Sequence, residues 1–233
     1  MQKKNILIFG GSRGLGKLMK NKFTKSKKYK IYSISKSNSN LKKKRNNIVE
    51  LKCDILKKTS VNQLKKKIQK ENIIFDTIIY SIGDHFDFKE ILINNKFLDK
   101  LLKINLFFPI NFNHFLIKNR KVNRSKFIFI LTDALNNLKA KSSYIIAKGA
   151  CKYYIKSQSF HFKKIDCSIL GIIVGPYIYP GSIWQKIKKT DPQRYERKKN
   201  SIKSKKFPKP ERYINIIEKI VKSPKNFNGK IFN

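Results

Sequence analysis

The sequence predicts a single-domain α/β protein built on a doubly wound parallel sheet with helices on both faces. Three observations lead there. The chain opens on a strand-length apolar run, Ile6-Leu7-Ile8-Phe9, that breaks into a glycine turn, Gly10-Gly11-Ser12-Arg13-Gly14-Leu15-Gly16, and then into an amphipathic segment. Apolar runs of strand length alternate with segments of helical period along the rest of the chain, the order expected of parallel strands joined by crossover helices. Glycines, hydroxyls and charged residues recur at the carboxyl ends of those strands, where open α/β sheets bind their ligands.

The elements follow in order. The first strand passes through the glycine turn into a helix over 15–23. Lys30–Ser35 is a second strand, ending in Lys36 and a polar loop over 37–47, and Ile48–Cys53 a third, ending in Asp54. Val61, Leu64 and Ile68 lie at helical spacing, so a helix covers 60–71 with its start near Thr59 or Ser60. Phe75–Tyr80 is a fourth strand, closed by Ser81-Ile82-Gly83, and two helical stretches follow at 91–102 and 106–117. Phe127–Leu131 is a fifth strand, 142–162 a long helix, and Cys167–Val174 a sixth strand stopped by Gly175-Pro176. Residues 177–206, aromatic at first and then strongly basic, read as a mobile insertion with short helices that forms a lid. A last helix over 210–221 and a short strand over 229–232 complete the expected domain, and 233 residues suffice for one sizeable core.

Composition excludes several classes. With 40% hydrophobic residues the chain is not a disordered polymer despite its net charge of +40. The opening apolar run breaks after four residues, which is neither a leader nor a membrane span. Cys53, Cys151 and Cys167 are an odd count without paired spacing, as expected of reduced, buried thiols in a cytoplasmic protein, and no metal site is expected. The 54 Lys and Arg could mark a polyanion partner. They are nevertheless scattered, dominated by lysine and accompanied by abundant Asn, Ile and Phe, the pattern of drift toward A/T-rich codons. Non-specific polyanion binding at low salt is the only nucleic-acid affinity this predicts.

The glycine turn carries the first chemistry. Gly10 permits a sharp turn, Gly14 removes a side chain where backbone must approach a diphosphate, and Gly16 lets the helix pack closely. The helix start then offers free N–H groups and its positive dipole end to phosphates. A plain tight turn between strand and helix is the alternative. No acid stands at the end of the second strand, where a carboxylate would bind the ribose hydroxyls of NAD. Arg13 and Lys36 can reach a 2′-phosphate instead, so NADP(H) is the expected cofactor, with NAD(H) possible.

On these residues the chain resembles the short-chain dehydrogenase/reductase family over nearly its whole length. Gly10, Gly14 and Gly16 match that family's Gly-x-x-x-Gly-x-Gly loop, with Ser12, Arg13 and Leu15 between and beside them. Asp54 matches its adenine-contacting acid, and Tyr80-Ser81-Ile82-Gly83 stands where the family has Asn-Asn-Ala-Gly. Asn105 matches the active-site asparagine, Tyr144 and Lys148 match Tyr-x-x-x-Lys, and Lys209-Pro210-Glu211 and Asn228-Gly229-Lys230 resemble the closing motifs. The Tyr-x-x-x-Lys spacing also occurs at Tyr32/Lys36 and Tyr195/Lys199, but Tyr144 and Lys148 alone lie one helical turn apart just after the fifth strand.

The resemblance implies a Rossmann-like fold and a carbonyl–alcohol oxidoreductase acting on a small molecule. It makes Tyr144 the general acid or base, Lys148 the ammonium that lowers its pKa and holds the nicotinamide ribose, and Asn105 the holder of a water. Ser81, Gly83, Gly175 and Pro176 join the cofactor site. The family's carbonyl-orienting serine falls at Leu131, 13 residues before Tyr144, which leaves Thr132 as the nearest hydroxyl. Phe9, Ser81 and the inverted Gly175-Pro176 depart from the family pattern. Tyr177, Tyr179 and Trp184 would line the substrate side or pack the insertion onto the body. The family often forms dimers or tetramers through helices that here contain 113–118 and 148–160. A non-catalytic nucleotide sensor or scaffold and a basic polyanion binder are the other readings.

Overall fold

The protein is described by a computed structural model that covers residues 3–37, 46–83, 92–136, 142–179 and 182–233. Seven parallel strands form one sheet: β1 (Lys4–Phe9), β2 (Tyr29–Ser35), β3 (Ile48–Lys52), β4 (Phe75–Tyr80), β5 (Val122–Thr132), β6 (Ser168–Val174) and β7 (Ile231–Phe232). They stand in the order β3-β2-β1-β4-β5-β6-β7. The chain winds outward from β1 to β3 and returns to lay β4 on the other side of β1. The order reverses there, and the crevice beyond the strand ends at that point is the place for a ligand.

Strands buried on both faces must be apolar throughout rather than alternating. Ile6 to Phe9 are accordingly all shielded from solvent. On one face Leu7, Phe9, Ile78, Tyr80, Phe129 and Leu131 pack with Phe112 and Leu116 of α4 (Phe108–Lys118) and Cys151 and Ile155 of α5 (Ser142–Lys164). On the other, Ile6, Ile8, Ile79, Ile128, Ile172 and Val174 pack with Leu15 and Met19 of α1 (Gly14–Phe23) and Ile214 and Ile217 of α8 (Glu211–Lys222). Each buried aliphatic or aromatic side chain contributes roughly 1.5–3 kcal/mol. The three cysteines are buried and unpaired. No described helix is long and apolar enough to cross a membrane.

Several boundaries differ from the sequence expectation. Helix α2 (Lys58–Lys70) has Lys57 at its cap, and Ser60 does not cap it; the Ser60 hydroxyl accepts the Asp54 N–H at 3.1 Å instead. The two helical stretches after β4 form one continuous run: α3 (Asn95–Leu102), a π-helical turn over Lys103–Phe107, and α4. Residue 91 and positions 38–45 of the polar loop lie outside the described residues. Pro109 explains the π turn. It has no N–H to give the carbonyl four residues back, that of Asn105, so the regular ladder breaks there. The basic insertion holds α6 (Ile183–Thr190) and α7 (Pro192–Asn200).

Candidate active site

The glycine turn joins β1 to α1 at the point where the strand order reverses. The Gly10 N–H bonds the Ile34 carbonyl at 2.8 Å, and a Cβ on Gly16 would run into the Gly10 carbonyl, so only glycine lets the helix begin against the turn. Arg13, extended and exposed, precedes the first helical residue without a side-chain cap, and Ser12 is half-buried beside it. The first amides of α1 therefore point into the crevice with no acidic side chain in the first turn. The Leu15 N–H meets the Tyr177 hydroxyl. The hydroxyls of Tyr179 and Tyr177 lie 3.5 and 3.8 Å from where a Gly14 Cβ would stand.

Lys36 and Asp54 close the β2–β3 end. The Lys36 ammonium lies 3.2 Å from Asp54 Oδ2, and Asp54 Oδ1 accepts the Leu56 N–H at 3.1 Å. Burial alone would raise the Asp54 carboxyl, but that N–H and the Lys36 ammonium hold it below the ordinary carboxylate value.

The other end of the crevice gathers Gly83, Asn105, Tyr144 and Lys148. Asn105 lies in the π turn, 3% exposed, and donates from Nδ2 to the Leu101 carbonyl at 2.9 Å. Its Oδ1 is buried without a hydrogen-bond partner. Lys148, on α5, donates to the Ile130 carbonyl at 2.9 Å and the Ile82 carbonyl at 3.3 Å. Burial pulls the Lys148 ammonium down to about 8, against a smaller opposing effect of Cys151. Gly83 lies between the two: a Cβ there would be 2.6 Å from Asn105 Oδ1 and 2.9 Å from Lys148 Nζ. Tyr144 is half-buried one turn before Lys148, on the same helix face. It lies close enough to Tyr177 for the two phenols to interact. Burial first, then the Tyr179, Tyr144 and Tyr213 phenols, push Tyr177 up to about 12 against the Leu15 N–H.

Thr132 stands apart from this group. It pairs in register with Val174, whose side chain packs on the α1 and α8 face, whereas Leu131 pairs with Ile173 and packs with Cys151 and Ile155 beneath α5. Side chains alternate along a strand, so Thr132 belongs to the face away from α5, and its hydroxyl accepts the Ala134 N–H at 3.2 Å. The sequence expects Thr132 to orient a carbonyl at Tyr144; this register sets it on the other face of the sheet from α5. One residue earlier, where the hydroxyl is wanted, the chain has Leu131.

Phe9, one of the departures from the family pattern, is held by an aromatic contact. Phe9 and Tyr80, on neighbouring strands, stack at 5.2 Å with their planes 2° apart, and Phe108 and Phe112 meet Phe9 edge-on. The Tyr80 hydroxyl donates to Asn113 Oδ1 at 2.5 Å. These residues fill the core beneath the crevice and leave its lining to Ser81, whose N–H bonds the Phe9 carbonyl. At the end of β6 the Gly175 N–H donates to the Tyr213 hydroxyl at 3.1 Å, ahead of Pro176. Beside it lies a cleft of about 250 Å³ lined by Asp133, Asn136, Gly175, Arg212 and Tyr213. Asp133 also meets Lys198 of α7 at 3.4 Å. Trp184 packs on Phe207, just past the insertion.

Sequence reasoning missed the Ile82 and Ile130 carbonyls that hold Lys148, because backbone acceptors leave no residue signature. It also missed the π turn, which Pro109 signals. Among the described residues no group of three His, Cys, Asp or Glu could hold a metal.

Comparison with known proteins places the chain. The family described as short chain dehydrogenase matches residues 4–190. An uncharacterized oxidoreductase of Saccharomyces cerevisiae is 29% identical over 171 residues, covering 71% of this chain. The aligned part spans 56% of the length of that relative. Among solved structures, a short chain dehydrogenase family protein from Francisella tularensis superposes with a TM-score of 0.85 at 19% identity, over 99% of this chain and 96% of that one. A 4-hydroxyisoleucine dehydrogenase complexed with NADH gives 0.83, and ElxO with NADP bound gives 0.84. Each of the two is 18% identical over the same shares of the chains. At these identities the structures establish the shared fold.

Proposed function

The chain belongs to the short chain dehydrogenase family, and from that premise we propose that it is a nicotinamide-dependent oxidoreductase interconverting a carbonyl and an alcohol, with NADP(H) preferred. The observation that supports this most directly is the convergence of Asn105 Oδ1 and Lys148 Nζ on Gly83, one helical turn from Tyr144. A buried amide oxygen without a partner is costly unless something bonds it, and a water or ribose hydroxyl would satisfy it. The glycine turn, a helix start without side-chain cap or acid, and the Lys36–Asp54 pair fit the diphosphate and adenosine of a dinucleotide.

The bound nicotinamide would supply or accept the hydride at the carbonyl carbon. Tyr144 would give the proton to the carbonyl oxygen, or take it in the oxidative direction. A phenol of ordinary pKa near 10 needs help to do so near neutrality. The Lys148 ammonium, held by the Ile82 and Ile130 carbonyls, would favour the phenolate and bond the nicotinamide ribose. Asn105 would hold a water that connects Lys148 to solvent. Gly175 and Pro176 would border the nicotinamide.

The preference for NADP(H) rests on Lys36 and Arg13, with no acid at the end of β2; NAD(H) is the second candidate. We read the chain as one nucleotide-binding domain with residues 177–206 as its lid and a small-molecule substrate. Ile146, Tyr153 and Phe160 recur every seventh residue along α5 at 40, 72 and 62% exposure, a stripe suited to self-association. The unpaired buried thiols suit the cytoplasm.

The test is a titration of NADPH and NADH into the purified protein at physiological salt, followed by a carbonyl panel with Tyr144→Phe as control. NADPH-selective binding, lost in Lys36→Asp, together with turnover lost in Tyr144→Phe, is the expected result. Equal affinity for both cofactors, unchanged in Lys36→Asp, refutes the preference. Leu131 at the serine position favours a second reading, a nucleotide-binding protein without catalysis. Cofactor binding without turnover across the panel would support it.

A further inference from the structure

Two aromatic hydroxyls stand on the glycine turn, and the cofactor reading gives them no role. Tyr177 and Tyr179, just after β6, stack at 5.7 Å, and Tyr213 packs edge-on against Tyr177 at 5.9 Å. Tyr213 is in turn fastened to the Gly175 N–H. The stacked pair therefore has a defined seat, and Tyr177 is packed against the same core as Leu15. From this seat the Tyr179 and Tyr177 hydroxyls face Gly14, 3.5 and 3.8 Å from where its Cβ would stand, and that of Tyr177 lies beside the Leu15 N–H. A helix-start amide beside a glycine is the donor a diphosphate would use. Space over the turn that a phenol fills cannot at the same time hold a phosphate.

We propose that Tyr177 and Tyr179 set cofactor affinity as a gate: the pair stands where the dinucleotide diphosphate is held, and binding displaces it together with the α6–α7 segment. The inference rests on the dinucleotide reading of the glycine turn.

The coupling to the helices follows from Ser182. Its N–H donates to the Tyr179 carbonyl at 2.9 Å, and its hydroxyl accepts the Tyr179 N–H at 3.3 Å and the Gln185 N–H that begins α6 at 3.2 Å. Asp191 follows α6 and caps α7 by accepting the Arg194 N–H at 3.0 Å. Tyr179, α6 and α7 are thus linked in series by hydrogen bonds. The far end of the series is held to the body by Lys198 on Asp133, a half-exposed pair that can open at little cost. A charged diphosphate makes a stronger bond to the amide than a phenol does, so the cofactor wins the site while its affinity is reduced by the competitor.

Trp184, the one tryptophan of the chain, sits on α6 and reports the movement. NADPH and NADH are titrated into the parent protein, Tyr177→Phe and Tyr179→Phe, following nicotinamide and tryptophan emission in parallel. Tyr177→Phe keeps the ring and removes the competing hydroxyl, so it should bind about five-fold more tightly, the effect of one neutral hydrogen bond. Tyr179→Phe should shift affinity the same way, and Trp184 emission of the parent should change in step with occupancy. Unchanged or weaker binding by both Tyr177→Phe and Tyr179→Phe overturns the gate alone and, if weaker, makes the hydroxyls cofactor ligands. If parent and variants are folded by circular dichroism and none binds either dinucleotide, the cofactor reading falls and the gate falls with it.

Discussion

Asn105 Oδ1 and Lys148 Nζ both border the space that a side chain on Gly83 would fill, 2.6 and 2.9 Å from its Cβ. The two residues come from different helices, one of them through a π turn, and a glycine at φ +133° on the loop after β4 lets them converge. Gly83→Ala would force a side chain between them in a backbone region that residues with a Cβ rarely adopt. Strain of about 1–3 kcal/mol is expected. A carbonyl-reduction assay should show a loss above about 100-fold, since displacement of a positioning group commonly costs that much. Retained activity in a protein of near-parental melting temperature would refute the convergence.

Lys148 carries a pH signature. Folded, its ammonium sits at about 8 against an ordinary 10.5. Between those values the unfolded chain binds a proton that the folded chain lacks, so stability rises with pH across that window. The contribution is lost as pH falls through about 8, and its full size is roughly 3 kcal/mol by the free energy per pKa unit. Lys126, lowered by burial, adds in the same direction. Urea unfolding at pH 7 and 9 should show the rise, and Lys148→Met should flatten it. By contrast kcat/KM, which reports the free enzyme, should fall above about pH 8 as the ammonium is lost.

The register of β5 separates two hydroxyls in their expected importance. Tyr144→Phe removes the proposed proton donor and should lower kcat/KM by about 100-fold or more. Thr132→Val, on the face away from α5, should lower it by less than about tenfold. A comparable loss in the two variants would place Thr132 at the carbonyl after all and overturn the reading from register.

The Phe9–Tyr80 stack should couple energetically. Phe9→Ala leaves a cavity against Tyr80, Phe108 and Phe112 and is expected to cost about 3–5 kcal/mol. In a double-mutant cycle with Tyr80→Leu the pair should show an interaction of about 0.5–1.5 kcal/mol. Additive effects would mean that the stack contributes no coupling beyond the burial of each ring.

Much of this protein was legible in the order of its residues. Apolar runs broken by Gly10, Ser81 and Gly175 marked strands and their carboxyl ends, because burial on both sheet faces demands unbroken apolar stretches and turns demand glycine or small polar residues. Tyr144 and Lys148 could be chosen over two other pairs of equal spacing by their place after the fifth strand. The capping of α2 and the fusion of two helices through a π turn were not legible from periodicity, which assumes an unbroken 3.6-residue ladder. Tertiary structure alone decided which face each side chain meets. Parallel register assigned Thr132 and Leu131 to opposite faces, and long-range packing paired Phe9 with Tyr80 and brought Tyr177 onto the Leu15 amide. Local sequence specifies what a segment can become and where it turns. Which distant groups then meet is set by strand pairing and core packing, whose partners lie tens of residues away along the chain.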